Sequence, residues 1–459
     1  MLTGIKLRAH PTSHQKLILS QWMGCARSIW NAKVEEERYY RTYARKYCAI
    51  GTYAPIDQTT SQFKSKELSP WLSDCPSQIL RNSAVNWYQT YQKFMSRKCG
   101  RPKHKPKTDK GSIYLTREVF RFDRCDDGNL RLFIGTKTNN IGYLSFKAHG
   151  KFEIPNSFYV RKERGQYYVS FCYEQGQPER PLSTNEDHLA FLQGATQEYL
   201  EEHTIGVDRG VVIPVHAGDQ TFDYSQSQKK NISKAERYIK RLQRKLARQQ
   251  KGSNRRAKTK HRIAVHHAKK ANIRNDFAHK TSRSLVDSSA KVIVFEALRT
   301  AMMTRRPKAK QDEQGRFISN KAKQKSGLNK AILNVGWHKI ETYTGYKAYA
   351  SGKAVFKIPA PKTSQECAKC GHTHPDNRKT QALFVCGHCG HTDNADHNAS
   401  LVIKKRGIHL ILDTGTVLSD DGVLRTQSDS GRGGNRKTGR AKSSTSSAQR
   451  SVKKEKLAA

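Results

Sequence analysis

Four cysteines in two matched pairs, Cys367-Ala-Lys-Cys370 and, after fifteen residues, Cys386-Gly-His-Cys389, constrain this chain more than any other feature. Each pair lets one tight turn present two sulfurs to a single point. Two such knuckles supply the corners of a tetrahedron, which suits a zinc ion at ~2.3 Å per Zn–S bond. Gly371, Gly387 and Gly390 stand where the turns need permissive backbone. His372, His374, His388 and His391 lie close by and could replace a sulfur. Four thiolates fill a tetrahedral shell without them, so the expected ion, one Zn2+, is structural and not catalytic. A redox pair is the competing reading. Metal binding would supply most of the folding free energy of so short and loop-rich a module.

The other six cysteines, Cys25, Cys48, Cys75, Cys99, Cys125 and Cys172, are scattered singly and read as ordinary packed or surface residues. The opening MLTGIKLRAHPTSHQKL has no apolar core of a signal peptide, so reduced thiols in a cytoplasmic, nucleoid-associated chain are expected. Charge names the class of partner. Against 39 Asp+Glu the chain carries 84 Lys+Arg, a formal net charge of +45. The basic residues are spread through nearly the whole length, and no apolar run approaches the ~18 residues of a membrane span. Nucleic acid, and not a membrane, is therefore the expected partner. Nothing in the sequence sets an oligomeric state.

The 459 residues accommodate several domains. Residues 1–12 read as a first strand and 13–107 as a helical region in which Trp87, Tyr91 and Phe94 share one helical face, for core packing or base stacking. The Pro- and Lys-rich break GRPKHKPK at 100–107 ends it. Residues 108–182 alternate with period 2, around a turn signal at Asp127-Gly128-Asn129, as a small β-barrel completed by the first strand would. Residues 203–362 form the next block. It includes a basic helical stretch from about Ser233, where Ser233 and Glu236 fit a capping box. Ile239, Leu242 and Leu246 keep helical spacing there and leave Arg237, Lys240, Arg241, Arg244 and Lys245 on the other faces, as a solvated surface or, collectively, for phosphate contact. The cysteine module spans 363–391, a C-terminal part of the preceding block 392–410, and 411–459 reads as a disordered basic tail.

Three acidic residues sit in apolar frames: Asp208 closes TIGVD, Glu296 closes KVIVFE, and Asp396 lies in NADHNAS. Alone, Asp208 reads equally as a turn residue or a helix cap and Asp396 as an N-terminal cap. Glu296 is more suggestive, since a carboxylate at the exit of the apolar run VIVF would be near desolvation without a partner. Together they could hold two Mg2+ ions ~4 Å apart, one lowering the pKa of an attacking water and the other stabilising the departing 3′ oxygen of a phosphodiester. An acidic cluster inside so basic a chain would hold cations where the surrounding surface delivers phosphates.

Those residues lie in GVDRG, VFEAL, SGLNKAILNVGWHKI (326–340), IPAPKTSQECAKCGH (358–372), FVCGHCGH (384–391) and NADHNASLVI (394–403). In this order the segments resemble the split RuvC nuclease of the transposon-encoded TnpB (OrfB) proteins, relatives of the type V CRISPR effectors. The resemblance continues more weakly through IKLRAHPTSHQKLILSQWMGCARSIWNAKV and WLSDCPSQILRNSAVNWYQTYQKF. It implies a multidomain α+β protein with a RuvC/RNase H-like α/β nuclease domain, an N-terminal β-barrel (wedge) with a helical recognition insertion, and a four-cysteine zinc finger. It also implies a Mg2+-dependent DNA endonuclease guided by an RNA from a transposon end and cutting double-stranded DNA beside a short motif. Asp208, Glu296 and Asp396 would then be the metal-binding catalytic triad. Two features depart from the family pattern: Arg209 stands where an apolar residue is common, and RRPKAKQDEQGRFISNKAKQK at 305–325 is unusually charged for a lid. A miniature type V CRISPR effector, a nuclease-inactive regulator and a DNA transposase are the competing expectations.

Overall fold

The alternating segments after residue 108 build strands, and the continuous apolar run VIVF builds a different kind of strand, as the computed structural model shows over residues 2–47, 58–108, 110–124, 130–148, 152–174 and 183–426. Cys48, Cys125, the turn expected at 127–129 and the basic tail beyond 426 lie outside the described residues. The chain divides into two compact units, Met1–Pro181 with Lys234–Lys269, and Leu182–Ser233 with Lys270–Ala459. The architecture is multidomain α+β.

The first unit holds β1 (Leu2–Ala9), β2 (Gly111–Thr116), β3 (Phe120–Arg124), β4 (Leu130–Gly135), β5 (Asn140–Leu144), β6 (Phe146–Lys147), β7 (Ser157–Glu163) and β8 (Gln166–Glu174). One antiparallel sheet runs β2-β7-β8-β1-β6 and a second β3-β4-β5. The first strand does join, pairing with β8 along its whole length. Tyr167, Val169 and Phe171 of β8 point inward while their neighbours do not, the period-2 burial of a sheet with one wet face. The two-residue turn Arg164-Gly165 between β7 and β8 has positive φ at both positions, the primed geometry that matches strand twist. Leu19, Trp22 and Ile29 of the helix Ser13–Tyr39 and Leu80 and Ala84 of the helix Ser77–Met95 complete the same core. Trp87 is buried against Trp30 and Val34 with Tyr91 stacked on it, so the aromatic face serves packing.

Among the described residues no ladder joins the two sheets into the closed barrel expected. The chain crosses from β5 to β6 at Ser145. At the other corner the helical turn Arg117–Val119 separates β2 from β3 and withdraws its backbone from pairing.

The second unit centres on β9 (Thr204–Asp208), β10 (Val215–Ala217), β11 (Gln220–Phe222), β12 (Val292–Glu296) and the strand Ala354–Ile358, in the order β11-β10-β9-β12 and then Ala354–Ile358. β12 lies between β9 and Ala354–Ile358 and is parallel to both; β10 and β11 add an antiparallel edge. Both faces of β12 are covered. Val292 and Val294 pack with Ile403 and Ile411 of the helix Ala395–Leu412, and Ile293 and Phe295 pack with Phe277, Leu285 and Ile340 from two helices opposite. Burial on two sides is why this strand reads as an unbroken apolar run.

Two expectations are corrected. The basic helix begins at Gln226, not near Ser233, because Ser225 caps it: the Gln228 N–H donates to Ser225 Oγ at 3.2 Å and the Ser225 N–H to Gln228 Oε1 at 3.0 Å. Ser233 is thus mid-helix, and the stretch breaks at Gly252 (φ +88) into helices Gln226–Ala247 and Asn254–Asp287. The region from 411 is not tail throughout. Residues 416–426 form a hairpin whose Val423 and Leu424 are buried and whose Gly422 carbonyl accepts the Lys357 N–H at 3.0 Å, so a short apolar pair suffices to order it on the sheet edge.

The helix Ala395–Leu412 approaches the sheet closely enough that a Cβ on Gly206 would lie 2.1 Å from the Ser400 carbonyl oxygen and 2.5 Å from the Lys404 nitrogen. Those are backbone atoms and no rotamer change relieves them. Gly206→Ala is expected to lower stability by about 1–3 kcal/mol, read as a reduced melting temperature.

Candidate metal centres at the sheet edge and in the cysteine module

Asp208 and Glu296 are the last residues of β9 and β12. Val207 pairs with Phe295 across these parallel strands, so the two carboxylates leave the same end of the sheet side by side. Asp396 comes from the first turn of the helix packed across β9. Asn394 caps that helix, its Oδ1 accepting the N–H groups of Asp396 at 2.9 Å and His397 at 3.3 Å, so the cap frees Asp396 from the capping role its position also allowed. All three expected acids therefore meet at one edge. The five basic residues Arg237, Lys240, Arg241, Arg244 and Lys245 are exposed on the first unit's part of the helix Gln226–Ala247.

Glu296 and Asp396 are each only 6% exposed, an expensive environment for carboxylates. Burial, then the charges of Glu296 and Asp396, push the Asp208 carboxyl up to about 7. Burial also raises Glu296, against the hydrogen bond from Thr363 and the charges of Arg209, Arg406 and Arg378. Thr363 Oγ1 donates to Glu296 Oε1, and Arg378 Nη2 lies 3.1 Å from Asp396 Oδ1. The oxygens are not drawn to one point: among the described residues only the four cysteines bring their ligand atoms all within 4.8 Å of one another. Crowded carboxylates of this kind favour a proton or a cation over full ionisation.

Sequence reasoning missed Thr363, Arg378 and His216, which sit in loops or on a short strand with no periodic signal. His216 pairs with Asp208 across β10 and β9 and is buried, its pKa held down by burial and then by His397. His397 Nδ1 meets Asp393 Oδ2 at 2.7 Å.

An unfolded aspartate ionises near pH 4, whereas folded Asp208 keeps its proton to about 7. Without metal the fold therefore loses stability as pH rises through that window, because the unfolded chain releases the proton first. Asp208→Asn is expected to raise the metal-free melting temperature at pH 8 by a few degrees, on the order of 1 kcal/mol, and to flatten its fall between pH 4 and 7.

In the cysteine module, Cys367 and Cys389 Sγ lie 3.7 Å apart and Cys370 and Cys386 Sγ 3.6 Å. The edges of a tetrahedron with ~2.3 Å metal–sulfur bonds are ~3.8 Å, so the cluster fits a tetrahedral ion. Gly371 (φ +74) and Gly390 (φ +69) take the left-handed backbone at the two turns; Gly387 does not. Buried Asn377 links the knuckles, donating to the Gln365 and His372 carbonyls at 3.0 and 3.2 Å and accepting the Gly387 N–H at 3.0 Å. Asn398, two residues past Asp396, donates to the Glu366 carbonyl at 2.7 Å and accepts the Ala368 N–H at 2.9 Å, which ties the module to the helix bearing the acid. Cys386→Ser is expected to cost the protein one equivalent of bound metal, measured by elemental analysis.

Models of known families match three stretches: "Helix-turn-helix domain" over 1–43, "Probable transposase" of the OrfB IS605 type over 170–306, and "Cas12f1-like, TNB domain" over 337–403. Within the first, the structure holds a strand and the single helix Ser13–Tyr39 running on into a π-helical turn, with no break between two helices. "Putative RNA-guided DNA endonuclease InsQ" of Escherichia coli (strain K12) is 28% identical over 93% of this chain and 97% of its own length. A "Putative RNA-guided DNA endonuclease" of Streptomyces pristinaespiralis is 23% identical over 88% and 89%. "CRISPR-associated endodeoxyribonuclease Cas12f1" of Sulfoacidibacillus thermotolerans is 26% identical over 57% and 56%. A solved Cas12f1-sgRNA-target DNA complex superposes over 88% of this chain and 98% of that one with a TM-score of 0.48 at 12% identity. The second and third of these stretches fall on the sheet, the acids and the cysteine module in chain order, and across most of its length the chain is similar to the OrfB (TnpB) proteins of IS605-type elements.

Proposed function

We propose that this protein is a transposon-associated, RNA-guided DNA endonuclease that cuts double-stranded DNA beside a short motif at a RuvC-like site. The observation that carries the proposal is that Asp208, Glu296 and Asp396 stand near one another at one sheet edge, where burial and then the two neighbouring carboxylates push Asp208 up to about 7. The names of the relatives from Escherichia coli and Streptomyces pristinaespiralis support the guided reading. The sheet order supports the RuvC-like one, with β12 parallel to both its neighbours and an antiparallel hairpin at the edge.

Asp208, Glu296 and Asp396 would hold two Mg2+ ions, which activate water and stabilise the leaving oxygen when bound. The chain's own groups do the rest. Thr363 orients Glu296 through its hydroxyl, and the Arg378 guanidinium, 3.1 Å from Asp396 Oδ1, offers a mobile positive charge to a phosphate arriving at the acids. Cys367, Cys370, Cys386 and Cys389 would hold one structural Zn2+ that keeps the Arg378 loop folded. Arg237, Lys240, Arg241, Arg244 and Lys245, exposed on the helix Gln226–Ala247, are proposed to contact phosphates while base pairing to the guide supplies specificity.

RNA retained by the purified protein after a high-salt wash is expected to be one species with a constant scaffold and a variable end, read by sequencing. Random fragments would favour the strand-transfer reading that the "Probable transposase" match carries. With that RNA loaded, Asp208→Ala is expected to reduce DNA cleavage by at least about a hundredfold while target affinity stays within about twofold. Cleavage at the wild-type rate would sink the site.

A further inference from the structure

Arg209 lies at the centre of a buried network that the proposed chemistry does not use. It is 5% exposed, directly follows Asp208, and its guanidinium sits over the Phe295 ring at 5.2 Å. Nη1 donates to Glu341 Oε2 at 2.6 Å, and Nη2 donates to the backbone carbonyl of Glu296. Glu341 is held from its other side by Lys357 Nζ at 3.2 Å, on the strand that pairs with β12. One turn earlier on the helix Trp337–Ala350, the Trp337 indole N–H donates to the Gly210 carbonyl at 3.0 Å. The loop after Asp208 is therefore pinned at two successive residues, and one of the pins also grips the last peptide of β12.

We infer that Arg209 is a positioning residue for the acid pair: it clamps the strand ends that carry Asp208 and Glu296 at a fixed separation, and so sets the affinity of that edge for divalent cations. A planar guanidinium suits this because one group reaches two acceptors in different directions at once, which an ammonium does only loosely. Glu341 pairs with the buried guanidinium, so Arg209 is not left as an uncompensated charge inside the fold. An apolar side chain could fill the space beside Phe295 but could not hold the Glu296 carbonyl.

The inference rests on the reading of Asp208, Glu296 and Asp396 as metal ligands, and the experiment separates the two. Mn2+ binding to the purified full-length protein is measured by electron paramagnetic resonance of the free ion, with melting temperature as the readout of folding. Arg209→Leu is expected to weaken Mn2+ binding about tenfold, the scale of lost outer-sphere support. Because Glu341 loses its closer partner and keeps only Lys357, the substitution should also lower the melting temperature. The double change Arg209→Leu with Glu341→Leu removes that half-compensated carboxylate and is expected to regain part of the melting temperature while Mn2+ binding stays weak. Arg209→Lys is expected to bind about threefold more weakly than wild type. A double variant that binds Mn2+ like wild type overturns the clamp and leaves only a packing role. If neither leucine variant folds, Arg209→Lys decides, and wild-type Mn2+ affinity there overturns it equally. Wild type that binds no more Mn2+ than Asp208→Asn instead removes the metal site itself, and the clamp with it.

Discussion

The helix Ala395–Leu412 lies so close to the sheet that two side chains had to be omitted from the interface. A Cβ on Gly206 would strike the helix backbone, and one on Gly407 would come within 2.8 Å of Val294 Cγ2. From this approach the rest follows. The helix covers Val292 and Val294, delivers Asp396 to the edge where β9 and β12 end, and presents Asn398 to the first cysteine knuckle. A helix held one side chain farther out would retain most of its apolar burial but would leave Asp396 away from its partners. The two glycines cost backbone entropy in a strand and a helix, and the site depends on that cost.

The electrostatics at this edge are a balance of opposites. The chain carries a net +45, yet three carboxylates sit together where burial and mutual repulsion raise Asp208 and burial raises Glu296. Arg209, Arg378 and Arg406 approach without neutralising them outright: Arg209 is paired with Glu341, Arg406 with Glu366, and Arg378 alone of the three reaches a site carboxylate. An edge of this kind is under-compensated in the absence of a divalent cation. That fits the proposed cation site better than a structural salt-bridge cluster, in which paired charges would hold the carboxyls low.

The sheet core and the cysteine module were legible because each leaves a local periodic mark. VIVF in β12 is apolar throughout since both its faces are packed, and the Cys-x-x-Cys spacing is set by the turn that a metal requires. The acids could be named because Asp208 and Glu296 close apolar runs and Asp396 lies in NADHNAS, one of the segments that carry the resemblance. Less was legible where a decision hung on side-chain contacts between distant segments. Ser233 and Glu236 matched a capping pattern as well as Ser225 and Gln228 do, and only the start of the helix separates them. The hairpin at 416–426 is short and polar, and it is ordered by an edge strand about sixty residues earlier in the chain.

The amino-acid sequence by itself determined the strongly basic character that points to a polyanionic partner, the four-cysteine module, through its fixed spacing, and the three acids, through the apolar runs that Asp208 and Glu296 close and the NADHNAS segment that holds Asp396. Tertiary structure alone decided which other groups stand with those acids. Thr363, Arg378, Arg209 and Glu341 come from loops and a helix far apart in the chain, and a hydrogen bond across 132 residues, such as that from Arg209 to Glu341, leaves no period in either segment. Among the described residues it also decided that the N-terminal strands form two sheets and not a closed barrel. Closure depends on whether edge backbones come within bonding distance, and the turn at Arg117–Val119 prevents it at that corner.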